Sequence, residues 1–325
     1  MEHRGIHDRL LRTLMVVIMA GMALSEMSAQ FDGRFSQYMH MKTFYNPAAV
    51  GEQQLMRVYG AQRLDWIGIK NAPRTTLFTA NTPFKVKKTE HAAGLQFVND
   101  MFGIFSNQQI NLQYAYRFVF EYGTLHVGAN IGVINIICYG DSVKMVESEY
   151  HSEANADPAV PTGTQSGVGF DMGLGVYFHN DHWYSGVSVL HIPGTRVRLG
   201  DRYGFSIRQM LSAMGGYNFT FADGLYRLQP SAIFYTDFAS WQIQLSALLR
   251  YRDKFWGGLA YSYQNAVSII LGAEIISGLE LGYCYDIPAS DFIRETHGSH
   301  EIFLSYEFNL FVNKKDGKHK SIRLL

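Results

Sequence analysis

Ile110-Asn111-Leu112-Gln113-Tyr114-Ala115-Tyr116-Arg117-Phe118 alternates without a break. Successive side chains of a strand point to opposite faces. Ile110, Leu112, Tyr114, Tyr116 and Phe118 therefore share one side, and Asn111, Gln113, Ala115 and Arg117 share the other. A helix would need apolar residues at three- and four-residue spacing, which this stretch lacks. One face suits hydrocarbon and the other suits a wet or packed interior.

The pattern recurs along the chain. Tyr226, Leu228, Ala232 and Phe234 oppose Arg227, Gln229 and Ser231, with Pro230 marking an irregular spot because it lacks a ladder donor. Trp241, Ile243, Leu245, Ala247 and Leu249 oppose Gln242, Gln244, Ser246 and Arg250. Ile302, Leu304, Tyr306, Phe308 and Leu310 oppose Ser305, Glu307 and Asn309. Short alternating segments bounded by turn residues are the signature of an outer-membrane barrel. Strands are expected at 55–66, 74–84, 92–99, 108–119, 124–138, 167–178, 183–190, 205–219, 225–235, 240–252, 255–264, 267–276, 279–287 and 300–311. The expected fold is an all-β transmembrane antiparallel barrel of about fourteen strands.

The connections agree. With both termini periplasmic, the even-to-odd links should be short. They read Glu121-Tyr122-Gly123, His179-Asn180-Asp181-His182, Ala222-Asp223-Gly224, Asp253-Lys254 and Ser277-Gly278, with a longer one at 85–91. Gly, Asn and Asp suit tight turns. The opposite links 139–166, 191–204 and 288–299 are long, as external loops should be, although Gln264-Asn265-Ala266 is short.

Composition narrows the function classes. The 325 residues are 14% aromatic and 17% charged, with 31 Gly, 8 Pro and net charge 0. Balanced charge gives no electrostatic case for nucleic acid. Mean hydropathy is −0.07, as alternation averages out. Past the leader there is no apolar run long enough for a spanning helix. Residues 1–29 read as a cleavable signal peptide: Arg4, Arg9 and Arg12, an apolar core from Thr13 to Leu24, then small residues Ser25, Ser28 and Ala29. The division that follows is 30–53 as an N-terminal aromatic segment, 54–312 as the barrel, and 313–325 as a basic tail.

Sites for chemistry are weak. The run Gly167 to Gly175 lacks the Lys-Ser/Thr ending of a phosphate loop, and its glycines suit strand coiling or close side-chain approach. His179 and His182 lie on a turn, and His297, His300 and Glu301 near a loop; neither group makes a metal set. Cys138 and Cys284 read as packing residues. Nothing sets a nucleophile beside a base and an orienting group, so neither an enzyme nor a cofactor is expected. Trp66, Trp183, Trp241, Trp256, Tyr261 and Tyr263 suit interfacial belts.

One stretch stands apart: Phe35-Ser36-Gln37-Tyr38-Met39, then Phe44-Tyr45-Asn46-Pro47-Ala48-Ala49-Val50-Gly51. Asn-Pro forces a turn before the first strand. Arg63-Leu64-Asp65-Trp66-Ile67-Gly68, Ala72-Pro73-Arg74-Thr75 and Pro83-Phe84 follow in order. Together these resemble the N-terminal signature of the PorP/SprF family of type IX secretion outer-membrane proteins, over residues 35–100; Leu64-Asp65 departs from the more polar pair expected there. The resemblance implies a non-enzymatic component in the cell outer membrane. It would support export or surface attachment of cargo with C-terminal secretion signals, or gliding motility. Its implied partners are outer-membrane lipid, the ring lipoprotein and periplasmic ring subunits, and cargo signal domains or surface adhesins. Family-specific contacts, internal or with a partner, are expected at Phe35, Ser36, Gln37, Tyr38, Asn46, Pro47, Gly51, Arg63 and Trp66. Segment 30–53 is too short for a folded plug domain but long enough to tuck its aromatics into the periplasmic mouth. The alternative is a porin-like or hydrophobic-compound transport channel.

Overall fold

A computed structural model describes residues 32–140, 163–200, 203–289 and 294–309. The expected leader, most of the loop 139–166 and the basic tail lie outside the described residues.

The strands are β1 Met56–Leu64, β2 Arg74–Val86, β3 Thr89–Phe102, β4 Phe105–Phe120, β5 Gly123–Tyr139, β6 Thr164–His179 and β7 Trp183–Leu190. Then come β8 Arg196–Leu199, β9 Tyr203–Ser206, β10 Met210–Tyr217, β11 Phe219–Phe221 and β12 Tyr226–Thr236. The last are β13 Trp241–Tyr251, β14 Phe255–Ser262, β15 Ala266–Ile276, β16 Leu279–Pro288 and β17 Ser299–Phe308. Neighbours pair antiparallel, β7 pairs β10, β10 pairs β12, and β1 closes on β17 from Met56↔Phe308 to Leu64↔His300. Leaving aside β8, β9 and β11, fourteen strands form a closed transmembrane barrel. Closure leaves none of these fourteen as an edge strand, which hydrocarbon requires.

The sequence pattern fails in small, explicable ways. The link expected over 85–91 is a tight Lys87-Lys88 turn, because β2 and β3 pair as far as Val86↔Thr89. The strand expected over 205–219 is split. β9 forms a hairpin with β8 inside the long connection, and β11 extends along β12 beyond a break at Asn218. Tyr217-Asn218, unpaired on the β12 side, face Pro230 and Gln229; Pro230 has no N–H to offer, and the Gln229 amide instead donates to Asn218 Oδ1 at 2.8 Å.

Outward residues are apolar as expected: Ile110, Leu112 and Tyr114 on β4 and Ile302, Leu304 and Tyr306 on β17 are exposed. Trp256 is a correction to the expected belt. It lies 3% exposed inside the barrel, and its neighbour Phe255 faces out.

The lumen holds the N-terminal segment. The described chain starts at Asp32 near the long-loop end, where it meets Gln109 of β4 and His191 just past β7. It descends through short helical turns at Tyr38–His40, Lys42–Tyr45 and Pro47–Ala49, and reaches Gly51 near the tight-turn end before entering β1. The segment therefore runs along the lumen rather than resting in one mouth. Phe35, Tyr38, Phe44 and Tyr45 form one apolar core with wall residues such as Leu77, Ile233, Leu248 and Phe303. The wall supplies much of the packing that 22 residues cannot supply to themselves.

Candidate functional site

The site is the contact between this segment and the barrel wall. At its centre is Arg63 of β1, 1% exposed. Its Nε donates to both Asp65 oxygens at 3.0 and 3.1 Å, and its Nη2 to Asp65 Oδ1 at 2.8 Å and Asp286 Oδ2 at 2.7 Å. Its Nη1 donates to Glu301 Oε2 at 3.0 Å and Ser36 Oγ at 2.9 Å. One guanidinium thus faces three carboxylates. A planar fork of five donors suits this task, which an ammonium could not perform. The surplus negative charge is met by further donors. Ser36 N and Gln37 N donate to the two oxygens of Glu301 at 2.7 and 3.0 Å, and Ser36 Oγ donates to Asp286 Oδ2 at 2.6 Å. The Cys284 thiol, free and buried, donates to Asp286 Oδ1 at 3.2 Å. Buried charges persist only when paired and hydrogen-bonded in this way.

Two further anchors hold the ends. His191 bridges Asp171 (Nδ1, 2.9 Å) and Asp32 (Nε2, 2.9 Å). Burial works against its charge, but the two carboxylates outweigh burial and push the imidazole up to about 10. Near the tight-turn end Lys42 Nζ donates to Glu52 Oε1 at 2.6 Å and lies 3.7 Å above the Tyr184 ring. Burial works against the Glu52 charge, yet Lys42 and the Tyr177 hydroxyl, 2.6 Å away, hold its carboxyl below the ordinary glutamate range.

Between the anchors, inward amides and hydroxyls pair with the segment's backbone. Gln244 Nε2 donates to Ser36 O at 2.6 Å, Gln113 Nε2 to Thr43 O at 2.8 Å, and Ser188 Oγ to Tyr45 O at 2.5 Å. The Tyr38 hydroxyl sits 2.9 and 3.0 Å from the Ser231 and Ser246 hydroxyls. Asn46 is extended (φ −141°, ψ 111°), as a residue before proline must be, and its Oδ1 accepts from Ala48 N at 2.9 Å. Its Nδ2 donates to Val176 O at 3.0 Å. This closeness requires Gly175, where a Cβ would lie 2.0 Å from Asn46 Oδ1. Gly51 turns the chain at φ +71°, where a Cβ would also strike Ala92.

Of the residues singled out in the sequence, Phe35, Ser36, Gln37, Tyr38, Asn46, Pro47, Gly51 and Arg63 are all buried at this contact. Trp66 is half-buried at the long-loop end, where its backbone N–H donates to Ser299 Oγ at 3.1 Å. Asp32, Asp65, Asp171, His191, Asp286 and Glu301 were not singled out as members of the contact. Strand parity was the signal that could have found Glu301, which faces the lumen while its neighbour His300 faces out and meets the Tyr283 hydroxyl at 2.6 Å. The glycine run provides close approach, as expected. The described cavities beside the segment are water-sized, about 10 and 20 Å³.

No curated protein matches the chain. Solved structures similar to it include the outer membrane protein Omp33 of Acinetobacter baumannii, at 9% identity and TM-score 0.45, covering 80% of this chain and 99% of that one. The CymD monoaromatic hydrocarbon channel has 11% identity and TM-score 0.44, covering 85% and 93%. The translocator domain of the autotransporter NalP from Neisseria meningitidis has 13% identity and TM-score 0.42, covering 84% and 95%. A family profile described as type IX secretion system membrane protein PorP/SprF matches residues 27–306. That span takes in the lumen segment and every barrel strand nearly to the end of β17, so the chain belongs to the PorP/SprF family.

Proposed function

We propose that this protein is a non-enzymatic outer-membrane component of the type IX secretion machine. It supports export or surface attachment of cargo with C-terminal secretion signals, or the display of gliding adhesins. The ring lipoprotein and periplasmic ring subunits meet its tight-turn end, and cargo or adhesins meet its long-loop end. Residues 1–29 serve as the leader that sends it there.

The observation that carries this reading is the pairing of family membership over 27–306 with a lumen occupied by the chain's own segment. A barrel filled in this way serves better as a docking body than as a conduit. It speaks against the porin-like or hydrophobic-compound channel. In this proposal Phe35, Ser36, Gln37, Tyr38, Asn46, Pro47, Gly51 and Arg63 act from within, and Trp66 at the long-loop end, fixing the barrel's shape so that both rims present constant surfaces.

The test is deletion of the gene in a strain without a paralogue, followed by measurement of signal-bearing cargo at the cell surface. Loss of surface cargo, with ring lipoprotein recovered on the tagged wild-type barrel, supports the proposal. Unchanged secretion removes it.

A further inference from the structure

The smaller cavity lies between Asp32 of the lumen segment and the wall, lined by Gln96, Gln109, Asn111, Asn130, Asp171 and His191 among others. Three buried polar atoms on this lining have no partner: Asp171 Oδ2, Asn111 Oδ1 and Asn130 Oδ1. Their residues are 2–4% exposed. All three atoms are acceptors. The Asn111 amide nitrogen is already directed at Gln96 Oε1, 3.4 Å away, and its oxygen lies over Gly132 of β5 with no donor.

Buried acceptors without donors are uncommon in folded proteins. The space, about 10 Å³, takes one water-sized particle. A single water has two hydrogens to donate, one fewer than the unpartnered oxygens. A hard cation has no such limit, because carboxylate and amide oxygens bind it together. Asp32 and Asp171 both line the cavity, and each gives one oxygen to His191.

We propose that this cavity binds one hard, oxygen-seeking cation. Asp171 Oδ2, Asn111 Oδ1 and Asn130 Oδ1 hold it from the wall, and Asp32 brings the lumen segment to it. The ion fastens the start of the segment to β4, β5 and β6.

The test uses the full chain in detergent micelles, stripped with a chelator and dialysed. Calcium, magnesium and sodium are titrated in separate calorimetric arms. The expected result is one saturable site per chain in at least one arm, weakened more than tenfold by Asp171→Asn and tightened several-fold by Asn130→Asp. The winning ion should also raise the melting temperature of the Asn130→Asp protein above its ion-free value. No saturable binding in any arm, or binding that Asp171→Asn leaves unchanged, means the cavity holds water and overturns the proposal. If Asp171→Asn does not fold, Asn130→Asp decides. Affinity held at the wild-type value, or a barrel that cations do not stabilise, overturns it equally.

Discussion

The Glu301 carboxylate on β17 accepts the backbone N–H of Ser36 at 2.7 Å, so the last strand of the barrel holds the segment that precedes the first. Ser36 Oγ also accepts from Arg63 of β1. One residue of the segment thus joins both strands of the closing seam. Glu301→Gln keeps the shape but turns an NH₂ toward a backbone donor. The expected loss is about 1–3 kcal/mol, the cost of a buried donor left unmet. Urea midpoints in micelles measure it, and protease cleavage within 32–53 should rise in parallel.

Arg63→Ala should cost more. It leaves Asp65, Asp286 and Glu301 buried without their counterion, and removing one member of such a set costs about 3–5 kcal/mol. Arg63→Lys restores the charge but not the fork, and should recover less than half of that loss. Full recovery by lysine would show that charge alone matters here. The same urea midpoints decide.

Gly175→Ala puts a methyl where Asn46 Oδ1 sits. Overpacking of this kind costs about 1–3 kcal/mol. Asn46→Ala alone loses the bonds to Ala48 N and Val176 O. The double variant should be less destabilised than the sum of the singles, because the clash vanishes with the amide. A double-mutant cycle on unfolding midpoints measures the coupling; strict additivity would mean the two residues do not meet.

The Lys42–Glu52 pair gives a pH dependence. The Glu52 carboxyl is held below its ordinary value. A depressed acid contributes stability that is fully present above its unfolded value, about 4.3, and lost as pH falls through the folded one. Unfolding midpoints from pH 7 to pH 3 should therefore fall more steeply for wild type than for Glu52→Gln. Parallel curves would contradict the pairing.

The barrel was legible because lipid and lumen impose opposite demands on alternate residues. Ile110 to Phe118 shows this without help from any other part of the chain. The occupant of the lumen was harder to read. Gln113 and Gln244 look alike whether they bind water or the Thr43 and Ser36 carbonyls. A signal was nonetheless present: Ile233, Leu248, Trp256 and Phe303 are apolar residues with inward parity. A wet channel gives such side chains nothing to pack on. Their presence on β12, β13, β14 and β17 calls for an apolar body inside, and Phe35, Tyr38, Phe44 and Tyr45 are that body. Trp256 was misassigned to the belt for the same reason: its place near a strand end says nothing of which face it takes. The Arg63 cluster draws Asp286 and Glu301 from more than 220 positions away. No local spacing rule reaches that far.

Planar-bilayer conductance of the purified wild-type barrel tests the occupied lumen most directly, with a variant lacking residues 35–50 for comparison. The account predicts no steady current from wild type and a stable, solute-passing channel from the deletion. A steady ohmic channel in the intact protein, unchanged by the deletion, would contradict it.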